Sequence, residues 1–176
     1  PKYAHIAPMM KVDGEGKRKL SKRKDPEAAV SYYSEEGIPK EAVVEYLLNI
    51  ANSTFEPWRR ANPDKSIDEF ELQLNKMSVS GALFDMVKLL DVSKIVISKY
   101  SAEKVYDEAY TWAKEYDEEF YSLISKDPEY TTNIFAIGRG GKKPRKDFSC
   151  YSEIKSYIWY MYDELFNDVS YEWQNI

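Results

Sequence analysis

The sequence predicts a mainly α-helical protein with a short β-hairpin or strand at its N-terminal end, on three observations. Apolar side chains recur at helical spacing through most of the 176 residues, as in Val43, Val44, Leu47 and Leu48. Helix-start signals precede several of these periodic segments, notably Asp25-Pro26-Glu27, Pro39 and Ser101. The segment Tyr3 to Val12 is apolar and partly β-prone, and it runs into the turn Asp13-Gly14-Glu15-Gly16.

The elements follow in order. After the strand and its turn comes a flexible basic loop. A helix is predicted from Asp25-Pro26 to Glu36, with an acid in its first turn and Gly37 as its stop. Pro39 opens a second helix that ends at Asn52 and Ser53. A polar stretch through Pro57 and Pro63 leads to a short helix near Ile67 to Leu72. Met77 to Gly81 is a loop, followed by an amphipathic helix from Ala82 to Ser98 on Leu83, Val87, Leu90 and Ile97. Ser101 caps a long helix to about Tyr116. Further helices are predicted over 118–126, 128–135 and 149–166, with a loop from Gly138 to Asp147. A soft boundary near Ser98 to Ser101 separates two regions.

Composition narrows the function classes. With 43% hydrophobic residues the chain can bury one good core or two small ones. No apolar run approaches the roughly 20 residues that cross a bilayer, and no secretory signal is present, which points to a soluble cytoplasmic protein. Cys150 is the single cysteine and His5 the single histidine, so an internal disulfide is impossible and neither redox nor zinc chemistry is expected. His5, beside apolar residues, reads as a packed and hydrogen-bonded side chain.

The net charge of -5 conceals a segregation. Of 25 basic residues, 11 lie in two runs, Lys17 to Lys24 and Arg139 to Lys146, leaving 14 basic against 30 acidic residues elsewhere, a net of -16. An acidic body repels a polyanion except at those runs, so a phosphate or nucleic-acid backbone is steered to them. In the first run, GKRKLSKRK, ammonium and guanidinium groups suit phosphate oxygens, and Ser21 adds a small hydroxyl. The second run, Arg139-Gly140-Gly141-Lys142-Lys143-Pro144-Arg145-Lys146, fits a phosphate backbone or a solvated loop equally well. The 15 tyrosines and 4 tryptophans fall mostly at helical spacing and read as packing residues rather than base-stacking platforms.

Lys19-Leu20-Ser21-Lys22-Arg23 resembles the KLSKR form of the KMSKS signature in the glutamyl-tRNA synthetases, a class I aminoacyl-tRNA synthetase family. Pro1-Lys2-Tyr3-Ala4-His5-Ile6 is similar to the PxFxH strand that feeds that loop, and the GRGGKKPRKD run resembles a loop in some bacterial members. The likeness is strong over 1–52, moderate to Asp117 and weaker beyond.

The resemblance implies a division into the end of a catalytic domain (1–25), a stem-contact helical region (26–100) and the start of an α-helical, incomplete anticodon-binding domain (101–176). It implies that Lys22 is the catalytic group, reaching the ATP phosphates, and that Lys19, Leu20, Ser21, Lys22 and Arg23 bind ATP. Arg139, Lys142, Lys143, Arg145 and Lys146 would meet tRNA(Glu). ATP with Mg²⁺ and L-glutamate are the implied substrates, with no protein-bound metal and a monomeric enzyme. The HIGH tetrapeptide of class I enzymes is absent and the chain starts at Pro1, so a C-terminal fragment, inactive alone, is expected. A glutaminyl relative or a non-catalytic tRNA-binding module are the alternatives.

Overall fold

The structure is a computed structural model in which residues 7–166 are described. The predicted strand at Pro1 to Ile6, with His5, and the last ten residues of the predicted helical domain lie outside the described residues. The described residues are mainly helical and hold one two-stranded antiparallel sheet. It divides into two compact units, one holding residues up to Ser34 together with Ile38–Ser93, the other Glu35–Gly37 and the chain from Lys94.

In the first unit, β1 (Met10–Asp13) pairs with β2 (Gly16–Lys19), and α1 (Val30–Glu36, whose last two residues count with the other unit), α2 (Lys40–Ala51) and α3 (Phe55–Ala61) follow. Tyr46, Phe55, Phe84 and Leu89 are buried. The Tyr46 ring meets Phe84 edge-on at 5.5 Å, and its hydroxyl accepts the Asp85 N–H at 2.7 Å, so the apolar body and the polar tip of one tyrosine are both satisfied. Phe55 packs edge-on against Phe70 at 4.9 Å, with Trp58 5.3 Å from the same ring. Buried Asn52 bridges two segments: its amide donates to the Gln73 carbonyl at 2.9 Å while its oxygen accepts from the Thr54 hydroxyl at 2.7 Å.

The second unit is a helical bundle. Its α5 (Ala102–Tyr116) turns Val105, Ala109 and Ala113 inward, a stripe with i, i+4 spacing. Packed on α5 are α6 (Glu118–Ser125) and α7 (Pro128–Ala136), which bury Phe120, Ile124, Ile134 and Phe135. Ile154 and Ile158 of α8 (Ile154–Ile158) complete the same core. The caps are made as the sequence predicts at Ser101, whose hydroxyl accepts the Lys104 N–H at 3.2 Å; Asp117 and Asp127 do the same for α6 and α7 at 2.9 and 2.8 Å.

Several elements differ from expectation, each for an identifiable reason. The helix predicted from Asp25 is a 3-10 turn at Pro26–Ala28, then an extended Ala29, before α1 starts at Val30. The helix predicted from Ala82 is α4 (Met86–Ser98), because residues 82–84 instead run alongside β1 and Asp85 caps the helix by accepting the Val87 N–H at 3.0 Å. Near Ile67 there is a single 3-10 turn, held by a Ser66/Glu69 capping box. The helix α3 lies where a polar loop is predicted; Pro57 falls in its first turn, where no intrahelical N–H bond is lost. The long helix predicted over 149–166 is broken into 3-10 turns at Tyr151–Glu153 and Trp159–Met161 around α8, followed by α9 (Asp163–Phe166). The break lets Tyr130 donate its hydroxyl to the Met161 carbonyl and brings the Tyr162 hydroxyl 2.8 Å from buried Thr131.

No helix among the described residues is long and apolar enough to cross a membrane.

Candidate functional site

The first basic run begins as a strand. In the β1–β2 ladder Met10 stands opposite Lys19, Lys11 opposite Arg18 and Val12 opposite Lys17. The connection is the two-residue turn Gly14-Glu15, and Gly14 takes φ +58°, a conformation that a residue with a Cβ adopts only under strain. Side chains alternate along a strand, so Lys11 and Arg18 share one face, while Lys17 and Lys19 lie on the other with Met10 and Val12. On the far edge of β1, Met10 donates to the Ala82 carbonyl and accepts the Phe84 N–H, both at 2.8 Å.

The face carrying Lys11 and Arg18 converges on Asp25, which is 1% exposed. Arg18 meets its carboxylate with two prongs, Nη1 to Oδ2 at 2.6 Å and Nη2 to Oδ1 at 2.8 Å. The Ser21 N–H donates to Oδ2 at 2.9 Å, and Lys11 Nζ lies 3.3 Å from Oδ1. Lys11 also pairs with buried Glu27, and Arg18 Nε with Asp13 at 2.6 Å. The Arg18 guanidinium, aided by the Ser21 N–H and Lys11, holds the Asp25 carboxyl well below the usual carboxylate range despite its burial. Arg18 and Lys11 are held in their charged forms in return, chiefly by Asp25 and Glu27 respectively. Asp25 is therefore not the helix N-cap its position suggests: its side chain makes no cap bond and ties a hairpin to the turn that follows it.

That turn carries the KLSKR sequence. Leu20 N–H donates to the Met9 carbonyl at 2.9 Å, and the Ser21 carbonyl accepts from Lys24 N–H at 3.0 Å and Asp25 N–H at 2.8 Å. Lys19 ends β2, Leu20 and Ser21 are half-buried, and Lys22, Arg23 and Lys24 form the exposed tip. Among the described residues the side chains of Lys17, Lys19, Lys22, Arg23 and Lys24 have no hydrogen-bond or ion-pair partner. The site is thus a set of outward cations on a turn closed at its base by a buried carboxylate. Arg18, Lys11, Asp25 and Glu27 are the supporting residues that composition did not single out; the signal was the acid Asp25 standing directly after a run of cations.

The second basic run sits between α7 and the turn at Tyr151. Arg139 is half-buried, and its guanidinium donates to three carbonyls: Phe135 at 2.9 Å, Ile97 at 2.6 Å and Tyr100 at 3.2 Å. Burial lowers its pKa and the Asp147 carboxylate opposes that shift through space, while among the described residues no carboxylate forms an ion pair with it. Gly138 accepts the Arg145 N–H at 3.0 Å, closing the loop at its base, and Arg145 Nε pairs with Asp147 at 3.1 Å. Gly138, Gly140 and Gly141 all take positive φ. Lys142, Lys143 and Lys146 are exposed, with no side-chain partner among the described residues. A cleft opens beside the loop, lined by Phe148, Tyr157 and Tyr160 together with Arg139 and Arg145.

No family model matches the chain. Three curated relatives are similar to it over nearly its whole length. Glutamate–tRNA ligase of Clostridium perfringens strain 13 is 57% identical over 167 residues, covering 95% of this chain and 31% of the relative. The Clostridium beijerinckii ligase is 55% identical over 172 residues, 98% of this chain and 31% of the relative. The Sorangium cellulosum ligase is 47% identical over 181 residues, 95% of this chain and 32% of the relative. The chain spans a little under a third of the length of these relatives. With identity of this order over nearly the whole chain, it belongs to the glutamate–tRNA ligase family and is part of such a ligase.

Proposed function

We propose that this chain provides the ATP-phosphate loop and the tRNA-contacting helices of an enzyme that joins glutamate to tRNA(Glu). The observation that carries the reading is the exposed Lys22 at the tip of a turn whose base is fixed by Asp25. In the first step, the glutamate carboxylate attacks the α-phosphorus of ATP, which enters with its Mg²⁺ as substrate. The bond to the β-phosphate breaks and pyrophosphate leaves. Lys22 meets the phosphate oxygens on which charge grows, with Lys19 and Arg23 beside it and Leu20 and Ser21 shaping the turn. Positive charge already in place where charge develops contributes roughly 10²-fold or more in rate per group. In the second step a hydroxyl at the tRNA 3′ end attacks the glutamyl carbonyl and AMP departs.

Residues 1–25 act as the end of the catalytic domain, 26–100 as the stem-contact region and 101–176 as the start of the anticodon-binding domain. In the last of these, Lys142, Lys143, Arg145 and Lys146 meet the tRNA backbone. Arg139 belongs to the same surface and, through its three carbonyl bonds, fixes the base of the loop. The enzyme works in the cytoplasm as a monomer. The 176 residues alone are inactive, because ATP and glutamate need further walls that this chain does not supply.

The test is glutamate-, ATP- and tRNA-dependent charging by the full-length ligase and its Lys22→Ala variant. Charging falls about 10²-fold or more while tRNA binding persists; charging at the wild-type rate would refute the role of Lys22. The 176-residue chain assayed alone should charge nothing.

A further inference from the structure

We infer that Asp25, with Arg18 and Lys11, is a positioning network that presets the turn bearing Lys22, so that the cationic tip meets phosphate already ordered. The inference rests on the phosphate-binding reading of Lys22. It starts from connectivity. The Asp25 carboxylate accepts the Ser21 N–H four residues back, while the Asp25 N–H donates to the Ser21 carbonyl, so backbone and side chain of one residue close the same turn. The tip residues Lys22, Arg23 and Lys24 lie inside that closure. The carboxylate is also held from two strands, by the two-pronged Arg18 of β2 and by Lys11 of β1. The start of the turn, its end and the hairpin before it are thereby fixed to one buried atom group.

Stability alone is a poor account of such an arrangement. A buried ion pair is often no better for stability than a well-packed apolar pair of the same volume, whereas it does impose one geometry. Arginine is the residue suited to that task, since its planar fork locks orientation as well as distance, which a lysine ammonium cannot do. Ordering the turn in advance removes an entropic cost from the step in which Lys22 must be in place, and misplacing a reacting group by about 1 Å can cost roughly 10²-fold in rate. Arg18 and Asp25 themselves need not touch the nucleotide.

The experiment compares Asp25→Asn, Arg18→Lys and Lys22→Ala in the full-length ligase, measuring kcat and KM for ATP and for glutamate in charging, together with amide hydrogen exchange at Ser21. Asp25→Asn and Arg18→Lys are expected to lower kcat by roughly 10- to 100-fold, leave KM for glutamate unchanged and speed exchange at Ser21. Arg18→Lys keeps the charge and removes only the fork, so it carries the test if Asp25→Asn does not fold. Wild-type kcat in a folded Arg18→Lys or Asp25→Asn variant, with Lys22→Ala impaired, overturns the positioning role and leaves the phosphate reading standing. Wild-type kcat in Lys22→Ala overturns that reading itself.

Discussion

The two basic runs are alike in basic composition and quite different as structure. Each turns one arginine inward and leaves its lysines outside. Arg18 is half-buried against a buried carboxylate, so charge meets charge, and the Asp25 it holds is tied to the turn as well. Arg139 is anchored on three peptide carbonyls, so its geometry is fixed by backbone, and Asp147 acts on its charge without a direct ion pair. The first run therefore presents cations on a turn braced by a side-chain network; the second presents them on a loop of three positive-φ glycines closed by one backbone bond. A count of basic residues overstates the cations available to a ligand, and Arg18 and Arg139 are the ones to subtract.

The comparison can be broken most sharply by removing outward cations from each run in the full-length ligase. Lys22→Ala is expected to reduce charging about 10²-fold or more with tRNA affinity kept. Replacing Lys142, Lys143 and Lys146 together by alanine should leave kcat at saturating tRNA unchanged. That triple variant should instead weaken tRNA binding and flatten its salt dependence, by about 0.7–0.9 in the slope of log affinity against log salt for each phosphate no longer neutralised. A slope identical to wild type would remove the second run from the RNA surface.

Next come the inward arginines. Arg139→Ala gives up charge-assisted bonds to three carbonyls and should destabilise the second unit by about 1.5–3 kcal/mol, read from urea melts. Its effect should not vary between pH 7 and 3, since the guanidinium stays protonated throughout. Asp25 supplies the contrast. Its folded pKa is depressed, so the stability it adds is fully present above the ordinary carboxylate value of about 3.9 and is lost as pH falls through the lower folded value. Acid titration should thus loosen Ser21 amide protection in the wild type, and Asp25→Asn should show weak protection at every pH. Equal acid dependence in both proteins would contradict the ion pair.

The smallest effect expected is at Gly14. A Cβ there meets nothing within 4 Å, so Gly14→Ala carries only the strain of positive φ, about 1 kcal/mol, measurable as a modest drop in melting temperature.

The helical bundle was largely legible because its signals are local: Ser101 and Pro128 mark helix starts, and Val105, Ala109 and Ala113 mark the inner stripe. What local signals missed were partners distant in sequence. Asp25 before a proline has the look of an N-cap, and nothing nearby announces that Arg18 and Lys11 claim its carboxylate. Leu83 continues a helical period, yet the edge of β1 draws the backbone around it into pairing. Pro57 argued for a loop until its place in the first turn of α3 made it harmless. Of the site, the cationic residues were visible in the sequence, whereas the inward turn of Arg18 and Arg139 depends on pairing register and on carbonyls from other helices.

The Gly14-Glu15 turn has a consequence for how this protein can change. Its two residues set the phase of the hairpin, like a reading frame: with the present count Arg18 faces Asp25, and Lys17 and Lys19 face away. One residue added or removed there would exchange the faces, offering lysine to the buried carboxylate and turning the arginine outward. Substitutions within the turn are a matter of degree, but a change in its length rewrites which cations anchor and which remain for a ligand.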